Sequence, residues 1–181
     1  MNIHREHLDD LALGTALLGT GGGGDPYLYK LALDAAIAEK GPVELVDPDD
    51  LDDDATIIST GGVGAPMIAS EKLPNGMEGV WAIRKLEEFA NIKADALIAA
   101  EIGGGNGLVP MLSALHMGLP VVDGDGMGRA YPETQMETFS IYGISATPMS
   151  AVDEFGNAAV ITTNDSKTAE RIVRQIGLSM G

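Results

Sequence analysis

The chain has 181 residues, of which 45% are hydrophobic and 4% aromatic, and a formal net charge of −16. That length suits one core of aliphatic side chains and Met, since domains typically hold about 100 to 150 residues. Zero cysteines exclude disulfides, thiolate nucleophiles and Cys-ligated zinc, while the charge opposes phosphate backbones and anionic lipid heads, arguing against nucleic-acid and membrane partners.

The opening residues are charged and lack an apolar signal core, and no apolar run approaches the roughly 18 residues of a spanning helix, so a soluble cytoplasmic protein is expected. Apolar positions from Ile3 to Leu18 predict a helix that ends in glycine. Asp25-Pro26 then reads as a cap with proline in the first turn, opening a helix over Tyr27 to Lys40 that stops at Gly41. Short apolar runs, Val43 to Val46 and Thr56 to Ser59, read as strands. Between them lie most of the seven acids of residues 44–54, a stretch without Lys or Arg that reads as a solvated turn. A helix from about Met77 to Ala90 precedes a strand at Ala96 to Ala100. Asn106 is placed to cap a helix over Leu108 to Met117, which Gly118 ends before a strand at Val121-Val122.

This alternation predicts an α/β fold with a mostly parallel sheet flanked by helices in Rossmann-like layers. Toward the C-terminus, Thr147 to Asp153 and Ala158 to Thr163 flank Gly156-Asn157 and predict an antiparallel hairpin, expected as an edge of the sheet. Asp165 caps a last helix from Ser166 to about Ile176. The chain stops soon after, which leads us to expect a larger parent protein, with residues 1–181 forming a single α/β domain of it.

Four glycine clusters carry the chemistry: residues 19–24, 61–64, 103–105 and 124–128. The last three follow predicted strands, and the carboxyl ends of parallel strands form the ligand crevice of such sheets. Gly21, Gly22, Gly23, Gly62 and Gly104 are therefore candidate substrate-binding positions, where backbone N–H groups can approach a ligand closely. The alternative is that each glycine only permits a tight turn. Gly19, Gly21 and Gly24 satisfy G-x-G-x-x-G, but the preceding segment reads as helix where a dinucleotide site needs a strand, and Asp25 would repel a pyrophosphate.

The polar residues between 101 and 133 are the richest constellation. Asp123 and Asp125 flank one glycine at a strand end, where paired carboxylates can serve as acid and base or hold a divalent metal ion. Glu101 joins them as a catalytic candidate. Asn106, Arg129 and Lys72 are candidate substrate-binding side chains, Arg129 as a clamp for an anionic group or as a partner for Asp125. His116 reads as a packed or surface residue, and His4 and His7 as surface residues without metal-ligand spacing.

The stretches Leu18 to Tyr27 (LGTGGGGDPY), Gly61 to Pro66 (GGVGAP) with Glu71-Lys72, Ala100 to Asn106 (AEIGGGN) and Gly118 to Met136 (GLPVVDGDGMGRAYPETQM) resemble the N-terminal domain of the S-methyl-thiohydantoin domain family. That family is hydantoinase- and oxoprolinase-related and was formerly of unknown function. The resemblance implies an α/β domain that forms half of a two-domain protein and has a link to cyclic amide metabolism. The expected function is small-molecule binding in a hydantoinase-type system, acting on a cyclic amide or related amino-acid derivative by hydrolysis, with or without a metal. A non-catalytic ligand-sensing or subunit-assembly domain and a nucleotide-binding domain are the alternatives. Expected partners are the substrate, the missing C-terminal domain or hydantoinase-type subunits, and further copies of the chain in a homo-oligomer.

Overall fold

In the computed structural model, residues 1–20, 22–64 and 71–180 are described. Five strands form one sheet in the order β1-β2-β5-β4-β3, with β1 Asn2–Ile3, β2 Val43–Val46, β3 Ile57–Thr60, β4 Ala96–Ala99 and β5 Val121–Asp125. All neighbours are parallel except β1, which pairs antiparallel with β2 at the edge. Register places Leu45, Val121, Leu97 and Ile58 side by side across four strands. All four are buried. This row packs against helices α2 (Tyr27–Lys40), α3 (Glu78–Ala90) and α4 (Val109–Met117) through Leu33, Ile37, Ile83, Met111 and Leu112. Burying each such side chain fully contributes about 1.5–3 kcal/mol, so this row anchors the sheet.

The helix boundaries follow local chemistry. Asp25 accepts the Tyr27 N–H at 2.9 Å, Gly118 ends α4 in the left-handed conformation at φ 69°, and Asp165 accepts the Thr168 N–H at 2.8 Å. Glu87, buried at the end of α3, takes the Ala94 N–H at 3.0 Å together with Arg84 and Lys93, fixing the entry into β4. Burial pushes its carboxyl up, but those donors bring it below the ordinary range. The acidic segment 47–56 stands where a crossover helix would otherwise join β2 to β3. It passes β5 and β4 to reach the far edge, with its 3-10 turn Pro48–Asp50 against β5 and its carboxylates exposed.

Several expectations need correction. Residues 3–18 are not one helix: Asn2–Ile3 forms β1, Arg5–His7 a 3-10 turn, and α1 spans Leu8–Leu18. Pairing with β2 buries Ile3 and satisfies backbone groups that a frayed helix start would leave to water. Asn106 does not cap α4, because the 3-10 turn Gly104–Gly107 intervenes and its side chain points elsewhere. The hairpin β6 (Met149–Val152) and β7 (Ala158–Ile161) is a separate two-stranded sheet lying on α3, where the Ser150 hydroxyl donates to the Ala82 carbonyl at 2.7 Å. A short α5 (Thr138–Ile141) precedes the hairpin. The last helix, α6, runs on to Met180, whose carbonyl accepts from Lys72 at 2.9 Å. No helix among the described residues is long and apolar enough to cross a membrane.

Leu97 lies at the centre of the buried row and is fully enclosed. Leu97→Ala is expected to lower stability by about 2–5 kcal/mol, read as a lower urea midpoint at unchanged slope.

Candidate functional site

Four connections gather at the carboxyl end of the sheet: the α1–α2 link and the loops after β3, β4 and β5. Their backbones touch. The Gly105 N–H donates to the Gly23 carbonyl at 2.8 Å and the Ala130 N–H to the Leu18 carbonyl at 3.1 Å. A Cβ on Gly19 would stand 2.6 Å from the Gly104 nitrogen, one on Gly103 2.9 Å from the Ala130 nitrogen, and one on Gly104 2.5 Å from the Gly23 carbonyl carbon. Gly104 also has φ +59°. Glycine is therefore needed here for loop to pass loop, before any ligand is considered. Gly22 stands beside the Ala130 methyl in the same junction. By contrast, Gly24, Gly64 and Gly128 have nothing within 4 Å of a Cβ, so beside these residues the backbone borders open space.

Polar side chains lock the junction. The Gly62 N–H donates to Asn106 Oδ1 at 2.7 Å, and Asn106 Nδ2 donates to Glu101 Oε1 at 2.8 Å. Glu101 Oε2 accepts the Gly103 N–H at 3.1 Å. One relay thus ties the β3 loop to the β4 loop, and Glu101, only 6% exposed, has both oxygens engaged in it. Asp125 does the same between β4 and β5, its Oδ2 accepting the N–H groups of Ile102 at 2.9 Å, Gly128 at 2.7 Å and Met127 at 3.3 Å. The shift in strand register between the Leu97–Val121 and Ala99–Asp125 pairs marks where β5 turns out of the regular ladder. Asp123, on the same strand, is exposed.

The remaining candidates lie at the margin or beyond it. Arg129 does not neutralise Asp125. Its guanidinium stacks 3.9 Å from the Tyr131 ring centroid and donates to the Ala130 carbonyl. Lys72 is held away from the loop junction by Glu154 at 2.7 Å, by the Met180 carbonyl and over the Phe155 ring. His116 is exposed on α4, and His4 and His7 bond to each other at the surface. Gly21 lies outside the described residues. No group of three or more His, Asp or Glu among the described residues is arranged to hold a metal ion.

Two residues not singled out from the sequence complete the site's frame. Glu170 of α6 accepts both the N–H (3.0 Å) and the hydroxyl (2.7 Å) of Thr134, and Arg174 binds it at 2.6 Å, which docks the last helix beside the β5 loop. Glu137 is 8% exposed and starts α5 without making a capping hydrogen bond. Its Cγ lies 3.1 Å from where a Gly126 Cβ would stand, next to Asp125. Burial, with the Asp125 charge adding to it, pushes this carboxyl up to about 7. No sequence signal marked it, because its environment is made by residues distant in the chain. A depression of about 520 Å³ runs along α6 between Arg171 and Met180 and is lined by none of the loop residues.

A model of the S-Me-THD-like N-terminal domain matches residues 6–163. The chain belongs to the S-Me-THD-like family. A crystal structure of a protein from Chromobacterium violaceum resembles it with TM-score 0.81 and 27% identity over 97% of this chain. That alignment covers 50% of the other chain, so this S-Me-THD-like chain spans about half the length of that relative. No functionally curated protein matches it significantly. The helix before Gly19 removes the strand that a dinucleotide fingerprint requires.

Gly104→Ala is expected to lower the melting temperature sharply, whereas Gly14→Ala, mid-helix in α1 with nothing within 4 Å, should raise stability by about 0.5–1 kcal/mol. Differential scanning calorimetry distinguishes the two. Glu137 makes a pH-dependent contribution whose sign follows from its raised value. Below its ordinary 4.5 the folded and unfolded forms are both protonated and there is no penalty. As pH rises to about 7 the unfolded chain loses this proton first, so stability falls by on the order of 3 kcal/mol and then levels off. In Glu137→Gln that part of the pH dependence should vanish, which urea titrations at a series of pH values would measure.

Proposed function

We propose that this chain is the small-molecule-binding domain of a hydantoinase-type system, acting on a cyclic amide or related amino-acid derivative by hydrolysis. The observation that carries this reading is the convergence of three strand-end loops and the α1–α2 link on one polar junction, with open backbone at Gly24, Gly64 and Gly128. A cyclic amide presents carbonyls that glycine-loop N–H groups can bind, and Arg129, whose guanidinium lies over Tyr131 at the rim, suits an anionic substituent. Of the three carboxylates expected to activate water, Asp123, in the middle of β5, is the exposed one. Asp125 and Glu101 act by holding the strand-end loops together.

A second reading has a specific observation behind it. Glu101 has both oxygens committed to the loops and Asp125 accepts three loop N–H groups, an arrangement that suits a domain that binds without performing chemistry. Such a domain would present its ligand to a further polypeptide. The exposed apolar side of α1, where Leu13 and Leu17 are each 73% accessible, suits contact with the equivalent of the relative's other half.

A thermal-shift series with hydantoin, a thiohydantoin, 5-oxoproline and nucleotides tests the binding claim, because a ligand that binds only the folded state at 100 times its Kd adds about 2.7 kcal/mol. Cyclic amides are expected to raise the melting temperature and nucleotides to leave it unchanged. The reverse pattern would overturn the proposal, and ring opening followed by chromatography separates the hydrolase from the binding-only reading.

A further inference from the structure

Glu137 is a buried acid that, unlike Glu101 and Asp125, ties no loops together. Its carboxyl has no ion pair or hydrogen bond among the described residues, and although the residue is only 8% exposed its oxygens keep contact with solvent. It is fixed in place: both the N–H (2.7 Å) and the hydroxyl (3.0 Å) of the next residue, Thr138, bond to the Gly126 carbonyl. The Gly126 N–H in turn bonds to the Ala99 and Ala100 carbonyls at the end of β4. Phe139 packs on the same side of Gly126 as Glu137, its Cε2 also 3.1 Å from where a Gly126 Cβ would stand. In the same loop, Gly128 leaves its Cβ direction open, whereas that of Gly124 meets Ile98 Cδ1 at 4.0 Å.

The charged groups around it are few. Asp125 of β5 is the one whose field acts on Glu137, and it raises the cost of a second negative charge there. Glu170 and Arg174, on α6 across the Thr134–Met136 turn, are paired with each other. Arg129 is turned toward Tyr131. With no cation paired to it among the described residues, and with its carboxyl raised to about 7, Glu137 is in good part a neutral acid near neutral pH, able to donate as well as accept.

We infer that the Glu137 carboxyl is the recognition group of this site for a cis-amide: its O–H donates to the carbonyl of a cyclic amide while its C=O accepts the adjacent ring N–H. A ring forces N–H and C=O onto the same edge, matching the paired donor and acceptor of a carboxylic acid. An open-chain secondary amide is trans and presents the two on opposite edges. The inference rests on the small-molecule reading above and deepens it, since it names the feature by which a lactam or hydantoin ring is told from an ordinary peptide bond.

Isothermal titration of the full chain with hydantoin, at about pH 6 and about pH 8, tests it alongside two controls: 1,3-dimethylhydantoin, the same ring without N–H, and N-methylacetamide, an open-chain trans amide. Wild type should bind hydantoin, several-fold more weakly at the higher pH, and should bind neither control. Glu137→Gln keeps a donor and an acceptor and should bind equally at both pH values. Glu137→Leu should lose more than about tenfold in affinity. Hydantoin binding to Glu137→Leu as tight as to wild type, or a pH dependence that persists in Glu137→Gln, would overturn the role of Glu137 and leave the site standing. If wild type binds no hydantoin, the small-molecule reading fails and the inference fails with it.

Discussion

Everything at the carboxyl end of this sheet depends on backbone passing within contact of backbone, where the loop after β4 crosses the α1–α2 link. A single methyl on Gly19, Gly103 or Gly104 would occupy space already filled by main-chain atoms. That contact sets where α1 lies, because the Leu18 carbonyl at its end takes the Ala130 N–H from the β5 loop. It also sets the start of α4, because the 3-10 turn Gly104–Gly107 is pinned through Gly105 to Gly23 before the helix begins. The glycines therefore serve the fold first. Any ligand-binding surface is what remains on their outer side, at Gly24, Gly64 and Gly128.

Acidic side chains then do the locking, in a chain whose net charge would disfavour bringing them together. Glu101 and Asp125 each bring a carboxylate into the junction and meet backbone N–H groups, Glu101 that of Gly103 in its own loop and Asp125 those of Gly128 in its own loop and Ile102 in the neighbouring one, a charge-assisted arrangement stronger than a neutral hydrogen bond. Main-chain donors offset the cost of burial without the need for Lys or Arg. The few cations are used elsewhere, with Lys72 and Arg174 holding the C-terminal helix against the rest of the molecule.

Much of the fold was legible in local chemistry, and the site much less so. Asp25-Pro26, Gly118 and Asp165 mark helix ends through hydrogen bonds that lie within four residues, so the chain itself carries the signal. The position of β1 was not legible, since two residues have no periodicity and pair only with a strand some forty residues away. Asn106 illustrates the same limit. Its sequence context fits a cap, and only the approach of the β3 loop reveals its use as a bridge from Gly62 to Glu101. The glycine clusters do meet at the carboxyl end of the sheet, but spacing does not tell loop-against-loop packing from a ligand cradle. Asp123 and Asp125 were expected as the pair whose environments differ, yet the carboxyl that burial alters most is Glu137.

That difference bears on what the site is built to do. A carboxyl enclosed beside another charge lowers stability at neutral pH, and a Gln or Leu of similar size would remove the penalty with no loss of packing. Structural reasons for an acid at 137 fail one by one: it caps nothing, pairs with no cation among the described residues and holds no loop, whereas Glu101 and Asp125 do hold loops. Local departures from the rules that stabilise a fold concentrate where function requires them. By that argument the acid at 137 belongs to the chemistry of recognition, and the glycine junction is the rigid frame that keeps it in place.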